Sequence, residues 1–210
     1  MKTFKLLDFF KYRIIECKTN EQFNGFSKEF AKDMGYEVPA SFLKTGKLWA
    51  VLNPKKEYVG GYALIQKHPV RSLEQIPNGY GEIIDGVVVN WNYEIDHFDL
   101  KKHINDIGEF TCIWLKDKTF GLPLSLHIIW KLITTKGTKW WAYSYPISEA
   151  GLGNYYAKGK PVYLYKGPIV RLEGHPENPE EESVEILSNF GIVFIGVYRN
   201  IKYLLKAFKK

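Results

Sequence analysis

The sequence predicts an α/β domain built on a mixed, mostly antiparallel central sheet flanked by helices, and three stretches carry that prediction. The apolar runs "KLWAVLN" and "YVGGYALIQK" are separated only by "PKKE", as in an antiparallel hairpin. "YRIIECK" passes directly into a helical pattern, and "EFTCIWL" passes through a short basic turn into "LPLSLHIIWKLITTKG". Directly joined strands and strand–helix alternation in one chain suit a sheet with helices on its faces, rather than a bundle or a sandwich.

The elements follow in chain order. "YRIIECK" is the first strand. A helix covers 20–34, with Asn20 as its cap, Glu21 in the first turn, and Phe23, Phe26, Phe30 and Met34 at helical spacing before Gly35 ends it. In the hairpin that follows, Gly60 and Gly61 point to a bulge or a close approach of two backbones. Between His68 and Ile107 the pattern gives a helical turn at "RSLEQIP", a strand-like run "EIIDGVVVNWN" and a helix within "DHFDLKKHINDIG". "EFTCIWL" is the central strand, and the long helix after it ends at Gly137. "TKWWAYSYPI" is another strand, "SEAGLGNYYAKG" a short helix with Ser148 as its cap, and "KPVYLYKGPI" a further strand.

Residues 1–172 therefore read as the main domain and 173–185, rich in Pro and Glu, as a connection. Residues 186–210 read as a strand followed by a basic amphipathic helix that begins near Arg199. Ile201, Leu204, Leu205 and Phe208 of that helix are expected to pack on the domain, with its lysines toward solvent.

Hydrophobic residues make up 45% of the 210, enough for a sizeable core, which excludes a disordered chain. The net charge of +6 favours an anionic partner: nucleic acid, a phosphate-bearing cofactor, an acidic protein or an anionic membrane surface. The two cysteines, Cys17 and Cys112, lie far apart in apolar runs, so they are expected to be reduced core residues rather than a metal or redox pair, and no metal site is expected. Asp8 and Lys11 interrupt the apolar character of the first residues, and no run of 18 apolar residues occurs. The expectation is a cytoplasmic protein that does not insert in a membrane.

The turn "KDKTFGLPL" is the first chemical signal. A helix N-terminus carries unpaired N–H groups and a partial positive charge, so a glycine turn feeding a helix can cradle a phosphate. Lys116 and Lys118 add cations there, and Gly121 allows the backbone to come close to a bulky anion.

In element order, about residues 12 to 170 resemble the GNAT superfamily of N-acyltransferases. That family binds the pyrophosphate of acyl-coenzyme A with the pattern Gln/Arg-x-x-Gly-x-Gly/Ala, and here Lys118-Thr119-Phe120-Gly121-Leu122-Pro123 stand in its place. Lysine replaces the first residue and Pro123 the last small one. A second match is the family's Tyr-x-x-x-Gly, found as Tyr155 and Gly159 in "NYYAKG", with Tyr156 alongside.

The resemblance implies that Tyr155 or Tyr156 returns a proton to a leaving thiolate and that Glu109, at the start of the central strand, takes one from the attacking amine. Glu82, Asp85 and His127 are weaker candidates for that base. It further implies that the central strand splays from its neighbour. Backbone groups around Ile113, Trp114 and Leu115, with the turn Lys116, Lys118, Thr119, Phe120 and Gly121, would then hold the phosphopantetheine of the donor.

The donor would be acyl-CoA or an acyl carrier protein, a transient cosubstrate rather than a resident cofactor, and the acceptor a primary amine of an amino acid, peptide or small molecule. The loss of one N–H at Pro123 and the basic charge favour an acidic carrier protein; the stretch from His68 to Trp91, a larger insertion than a minimal acetyltransferase needs, and "HPVRSLEQIP" within it, which resembles long-chain N-acyl amino acid synthases, favour a fatty acyl chain. Three alternatives stand beside this reading: a plain acetyltransferase, a catalytically silent acyl-thioester sensor, and a nucleic-acid binding module using Trp140, Trp141, Tyr143 and Tyr145.

Overall fold

The structure, a computed structural model, describes residues 11–177 and 179–208; the side chains of Thr119, Arg199, Asn200 and residues 202–208 lie outside the described part. Among the described residues nine strands form a sheet of seven and a separate hairpin of two. The large sheet takes β1 (Arg13–Glu16), β2 (Lys47–Leu52), β3 (Tyr58–Ile65), β6 (Ile107–Leu115), β7 (Trp140–Pro146), β9 (Glu182–Ser188) and β8 (Val162–Gly167), in that spatial order. Only β6 and β7 run parallel; the pairings β1–β2, β2–β3, β3–β6, β7–β9 and β8–β9 are antiparallel. The mixed, mostly antiparallel sheet is the one the sequence predicts.

Helix α1 (Asn20–Met34) lies on one face, with Phe23, Phe26 and Phe30 buried. Its cap is Thr19, one residue before the predicted Asn20, because the Thr19 hydroxyl and the Gln22 side chain close a reciprocal capping box at both ends of the first turn. Gly35 takes the left-handed conformation (φ 80°) that ends the helix, as expected. The short helices α2 (Ala40–Leu43), α3 (Arg71–Glu74) and α4 (Leu100–His103) and the hairpin of β4 (Tyr80–Ile84) and β5 (Val87–Trp91) join α1 in covering this face.

The run "EIIDGVVVNWN" is two strands rather than one. Asp85 and Gly86, with φ 50° and 80°, make the tight turn that an Asp-Gly pair favours, and β4 and β5 fold back across it.

The opposite face carries α5 (Gly121–Thr134) and α7 (Asn189–Phe208), which bury Leu124, Ile128, Leu132, Ile192 and Ile195 against Trp49, Tyr62, Leu64 and Trp141 of the sheet. Both cysteines are buried free thiols in the core.

Gly61 is the close approach anticipated in β3. With φ +150°, a Cβ there would meet the Trp49 carbonyl oxygen at 2.3 Å, so no side chain fits between the two strands.

The C-terminal segment departs from its sequence reading. Residues 182–188, placed partly in a connection, form β9, which hydrogen-bonds to β7 on one side and β8 on the other. Helix α7 begins at Asn189, ten residues before the expected Arg199, and docks through Ile192 and Ile195 instead of Ile201, which is 52% exposed. Ile201 instead continues an exposed stripe of α7 with Phe190, Phe194 and Val197. The buried stripe is set by what α5 and β9 present, which helix periodicity does not contain. Leu204, Leu205 and Phe208 fall outside the described side chains. Among the described residues no helix is long and apolar enough to cross a membrane.

Candidate active site between two splayed strands

The parallel strands β6 and β7 pair at only three positions, Ile107 with Trp140, Gly108 with Trp141 and Glu109 with Ala142. Beyond Glu109 they part. β6 continues against β3 and β7 against β9, leaving a wedge between Phe110–Ile113 and Tyr143–Pro146.

A bulge helps drive the separation. Gly61 faces Trp114 and Ala63 faces Thr111, so β6 carries one residue more than β3 across this stretch, and Cys112 takes a left-handed φ of 54°. An extra residue on one strand bends it and increases its twist, which turns β6 away from β7. The wedge opens into a cavity of about 1210 Å³.

Glu109 stands at the apex, fully buried. Its carboxylate accepts the backbone N–H of Ser72 at 3.0 Å. Loss of hydration pushes its carboxyl up to about 7, against smaller opposing effects from the Ser72 and Thr111 hydrogen bonds and the Arg71 charge. An acid so poised holds or takes a proton near neutrality.

Tyr155 and Tyr156 line the other wall of the same cavity from α6 (Ala150–Tyr156). Their rings lie 5.5 Å apart, and Tyr156 packs 4.4 Å from Tyr143. The helix starts at Glu149 without a side-chain cap; Ser148, the expected cap, donates instead to Glu180 at 2.5 Å.

Behind these rings is a buried carboxylate that sequence reading passed over. Glu185 of β9 accepts hydrogen bonds from Tyr143 at 2.6 Å, Tyr145 at 2.5 Å and Ser183 at 2.9 Å. Three hydroxyl donors satisfy a carboxyl that is fully buried. Burial, reinforced by Glu185, pushes the Tyr143 phenol far up, and the Tyr145 phenol is pushed up to about 12. Both phenols therefore stay protonated and brace the tyrosine wall.

The remaining predicted contacts divide. Ile113 lines the cavity, but Trp114 and Leu115 do not. Trp114 points to the opposite face of β6, where its ring meets Phe26 and Phe30 edge-on at 6.0 and 6.2 Å. Leu115 packs with the α5 side of the sheet. The bulge ends the cavity-facing stretch earlier than a regular strand would.

The turn from Lys116 to Gly121 likewise lies outside the cavity lining. Lys116 is directed to α1, bonded to Glu29 at 3.2 Å and near Asp33 at 4.0 Å, so its charge is already answered. Lys118 is exposed, in a single 3-10 turn with Thr119 and Phe120; the Thr119 side chain is outside the described part. Phe120 packs on Tyr12, whose phenol donates to Asp117. Gly121 opens α5 without a left-handed φ, and a Cβ on it would meet open space. Phe120, at the N-cap position of α5, makes no side-chain capping hydrogen bond.

The weaker candidates for a base lie away from the cavity. Glu82 is exposed on β4 and Asp85 sits in the β4–β5 turn. His127 is held by the Tyr62 phenol at 2.8 Å beside Trp49. The aromatic platform of the nucleic-acid alternative is not an exposed surface: Trp141 is fully buried with its indole N–H on Asn189 at 2.6 Å, and Tyr143 faces Glu185.

Residues that sequence reading did not select complete the cavity. Arg71, Ser72 and Gln75 come from α3 and its C-terminal end, Glu182 from β9, and His175, Pro176 and Pro179 from the loop between β8 and β9. That loop is tied down by Val170 N–H to the Gln75 carbonyl at 2.9 Å and Glu37 N–H to the Gly174 carbonyl at 3.2 Å. The signal for Glu185 was present in "SVEILS", a charge inside an apolar strand.

No family model matches the chain, and no curated protein sequence does. Solved structures do match in fold. FeeM, an N-acyl amino acid synthase from uncultured soil microbes, superposes with a TM-score of 0.51 at 9% identity, over 85% of this chain and 91% of that one. Spermidine N-acetyltransferase from Vibrio cholerae gives 0.49 at 10% identity over 85% and 94%. An acetyltransferase of the GNAT family from Staphylococcus aureus Mu50 gives 0.44 at 11% over 84% and 99%. The fold is that of the GNAT acyltransferases.

Proposed function

We propose, taking the acyltransferase fold as premise, that the protein is an N-acyltransferase that moves an acyl group from a phosphopantetheine thioester to a primary amine of an amino acid, peptide or small molecule. The observation that carries this is one cavity, opened by the splay of β6 from β7, with the buried carboxyl of Glu109 at its apex and Tyr155 and Tyr156 on its wall. An acid and a base facing one space are what direct aminolysis of a thioester needs.

In this reading the thioester lies between the parted strands, and a backbone N–H of β6 polarises its carbonyl. Glu109 takes a proton from the acceptor's ammonium, directly or through water. The neutral amine adds to the carbonyl carbon; the C–N bond forms and the C–S bond breaks. The departing sulfur receives a proton from Tyr155 or Tyr156, and the second proton lost by nitrogen restores the phenol by way of water. The products are an amide and a free thiol. Holding both reactants in one wedge contributes much of the acceleration.

The donor's phosphates belong at the N-terminus of α5, which supplies free-end backbone N–H groups and where open space surrounds Gly121. A chain longer than acetyl is supported by the cavity, whose volume of about 1210 Å³ exceeds the roughly 300–1,000 Å³ of pockets that hold drug-sized ligands. Lys118, Lys158 and Lys160 remain to attract an acidic carrier protein, whereas Lys116 is engaged by Glu29.

The test measures kcat/KM with acyl-CoA and acyl-carrier-protein donors of two to sixteen carbons, at low and moderate salt. The reading expects longer chains to outperform acetyl and carrier-borne donors to lose more rate with salt. Acetyl-CoA outperforming every longer thioester would leave a plain acetyltransferase. Tight donor binding without turnover on any amine would leave an acyl-thioester sensor.

A further inference from the structure

We infer that the outer face of α5 and α7 docks on an anionic lipid surface, lying on the membrane without crossing it. The inference goes beyond the acyltransferase reading and stands without it. In α7 the residues Phe190, Phe194, Val197 and Ile201 recur at helical spacing and all are exposed, Phe190 to 79%. They stand opposite Ile192 and Ile195, which pack toward the sheet, so the stripe points away from the core. Helix α5 repeats the arrangement. Leu126, Trp130 and Ile133 are exposed, Trp130 to 62%, on the side opposite the buried Leu124, Ile128 and Leu132.

The two helices lie side by side. A Cβ on Gly196 of α7 would meet Ile129 Cδ1 of α5 at 2.5 Å, a close approach that brings the outer stripes together on one side of the molecule. Among the described residues nothing covers them. Apolar side chains gathered in this way mark an interaction site rather than ordinary surface.

Charge names the occupant. Neither helix contains an aspartate or a glutamate, although the chain has 23 of them. Helix α7 carries Arg199, Lys202 and Lys206, with Lys209 and Lys210 next in sequence. An apolar stripe, an exposed tryptophan and basic residues without a carboxylate suit the boundary of an anionic bilayer, where apolar side chains enter the headgroup layer and cations meet lipid phosphates. A second copy of the chain fits less well, because pairing this face with itself would set two basic helices together with no acid between them. A nucleic acid would answer the cations and leave the apolar stripe in water. Tyr198, beside the stripe, also lines the cavity, so docking would hold the cavity's rim near the lipid.

The experiment floats the full chain with vesicles of phosphatidylcholine alone and of phosphatidylcholine with about one-third phosphatidylglycerol, at low and moderate salt. Brominated phosphatidylcholine in the anionic vesicles then reads which tryptophan meets the lipid, by quenching its fluorescence. Binding to the anionic vesicles is expected to exceed that to neutral ones about 10- to 100-fold, at about fivefold for each basic residue that reaches the surface, and to weaken with salt. Trp49, Trp91, Trp114 and Trp141 are buried and Trp140 is half-buried, so quenching should come from Trp130, and Trp130→Phe should lose it while still binding. Trp130→Ser combined with Phe190→Ser should lower anionic binding about tenfold or more with the thermal midpoint nearly unchanged. Equal binding to both vesicles overturns the inference, and so does binding that leaves Trp130 unquenched, which would place the contact elsewhere on the chain. A dimer in sedimentation at micromolar concentration that dissociates in the double variant, with no vesicle binding, would assign the face to a second copy instead. The quenching is read on the unaltered protein and decides the question even where the double variant folds poorly.

Discussion

Replacing Glu109 by glutamine separates catalysis from stability because the two should move in opposite directions. Burial raises the carboxyl from 4.5 to about 7. The folded state therefore holds this proton more tightly than the unfolded chain, and stability falls as pH rises from 4.5 toward 7. At about 1.4 kcal/mol per pKa unit the charged form costs about 3 kcal/mol above pH 7. The amide of Glu109→Gln would be neutral at every pH, nearly the same shape, and able to accept the Ser72 N–H, with about 1 kcal/mol forfeited where its new N–H₂ group lacks acceptors.

The variant should thus be more stable than the unaltered protein by about 1–3 kcal/mol at pH 8, with that advantage gone below pH 4.5. Its turnover should drop about 100- to 10,000-fold, the usual scale for removing a general base. In the unaltered protein kcat/KM should fall tenfold per unit below pH 7, and the variant should lose that limb. Urea unfolding at pH 4.5 and 8, with thiol release followed from pH 5 to 9, reads both effects. A variant that is less stable at pH 8 and turns over normally with an unchanged profile would refute the reasoning, making Glu109 a structural acid.

Three further outcomes are expected. Tyr155→Phe or Tyr156→Phe, whichever residue is the acid, should lower kcat about 10- to 1,000-fold with little change in donor affinity; normal turnover in both variants and in the double variant would assign the proton to water. Gly121→Val should leave the thermal midpoint nearly unchanged, since this glycine has an ordinary φ and open space around it, yet weaken coenzyme A binding in calorimetry, and unaltered affinity would remove the turn from the donor site. Gly61→Ala should destabilise the protein by about 2 kcal/mol or more in urea, because its Cβ would meet the Trp49 carbonyl at 2.3 Å; a midpoint within experimental error of the parent would contradict the close approach of β2 and β3.

What the sequence alone determined is local. The 3.6-residue spacing of Phe23, Phe26 and Phe30 wrote α1, Gly35 its end, and the "PKKE" break the β2–β3 hairpin, because those signals depend on neighbours a few residues away. The turn at Asp85-Gly86, which splits "EIIDGVVVNWN" into β4 and β5, is equally local. Glu109, Tyr155 and Tyr156 came from the resemblance to the acyltransferase family rather than from local pattern.

Their meeting in one cavity was not legible, since it depends on where β6 leaves β7, which a bulge opposite Tyr62 decides. Burial was decided only in three dimensions as well. Ser72 holds Glu109 from 37 residues away, and Tyr143 reaches Glu185 across 42. Arg71 and Gln75 fall in the predicted turn "RSLEQIP", but their burial comes only from the elements that surround them. Desolvation is a property of everything that surrounds a group, so the raised carboxyl of Glu109 becomes visible only when the distant strands are in place.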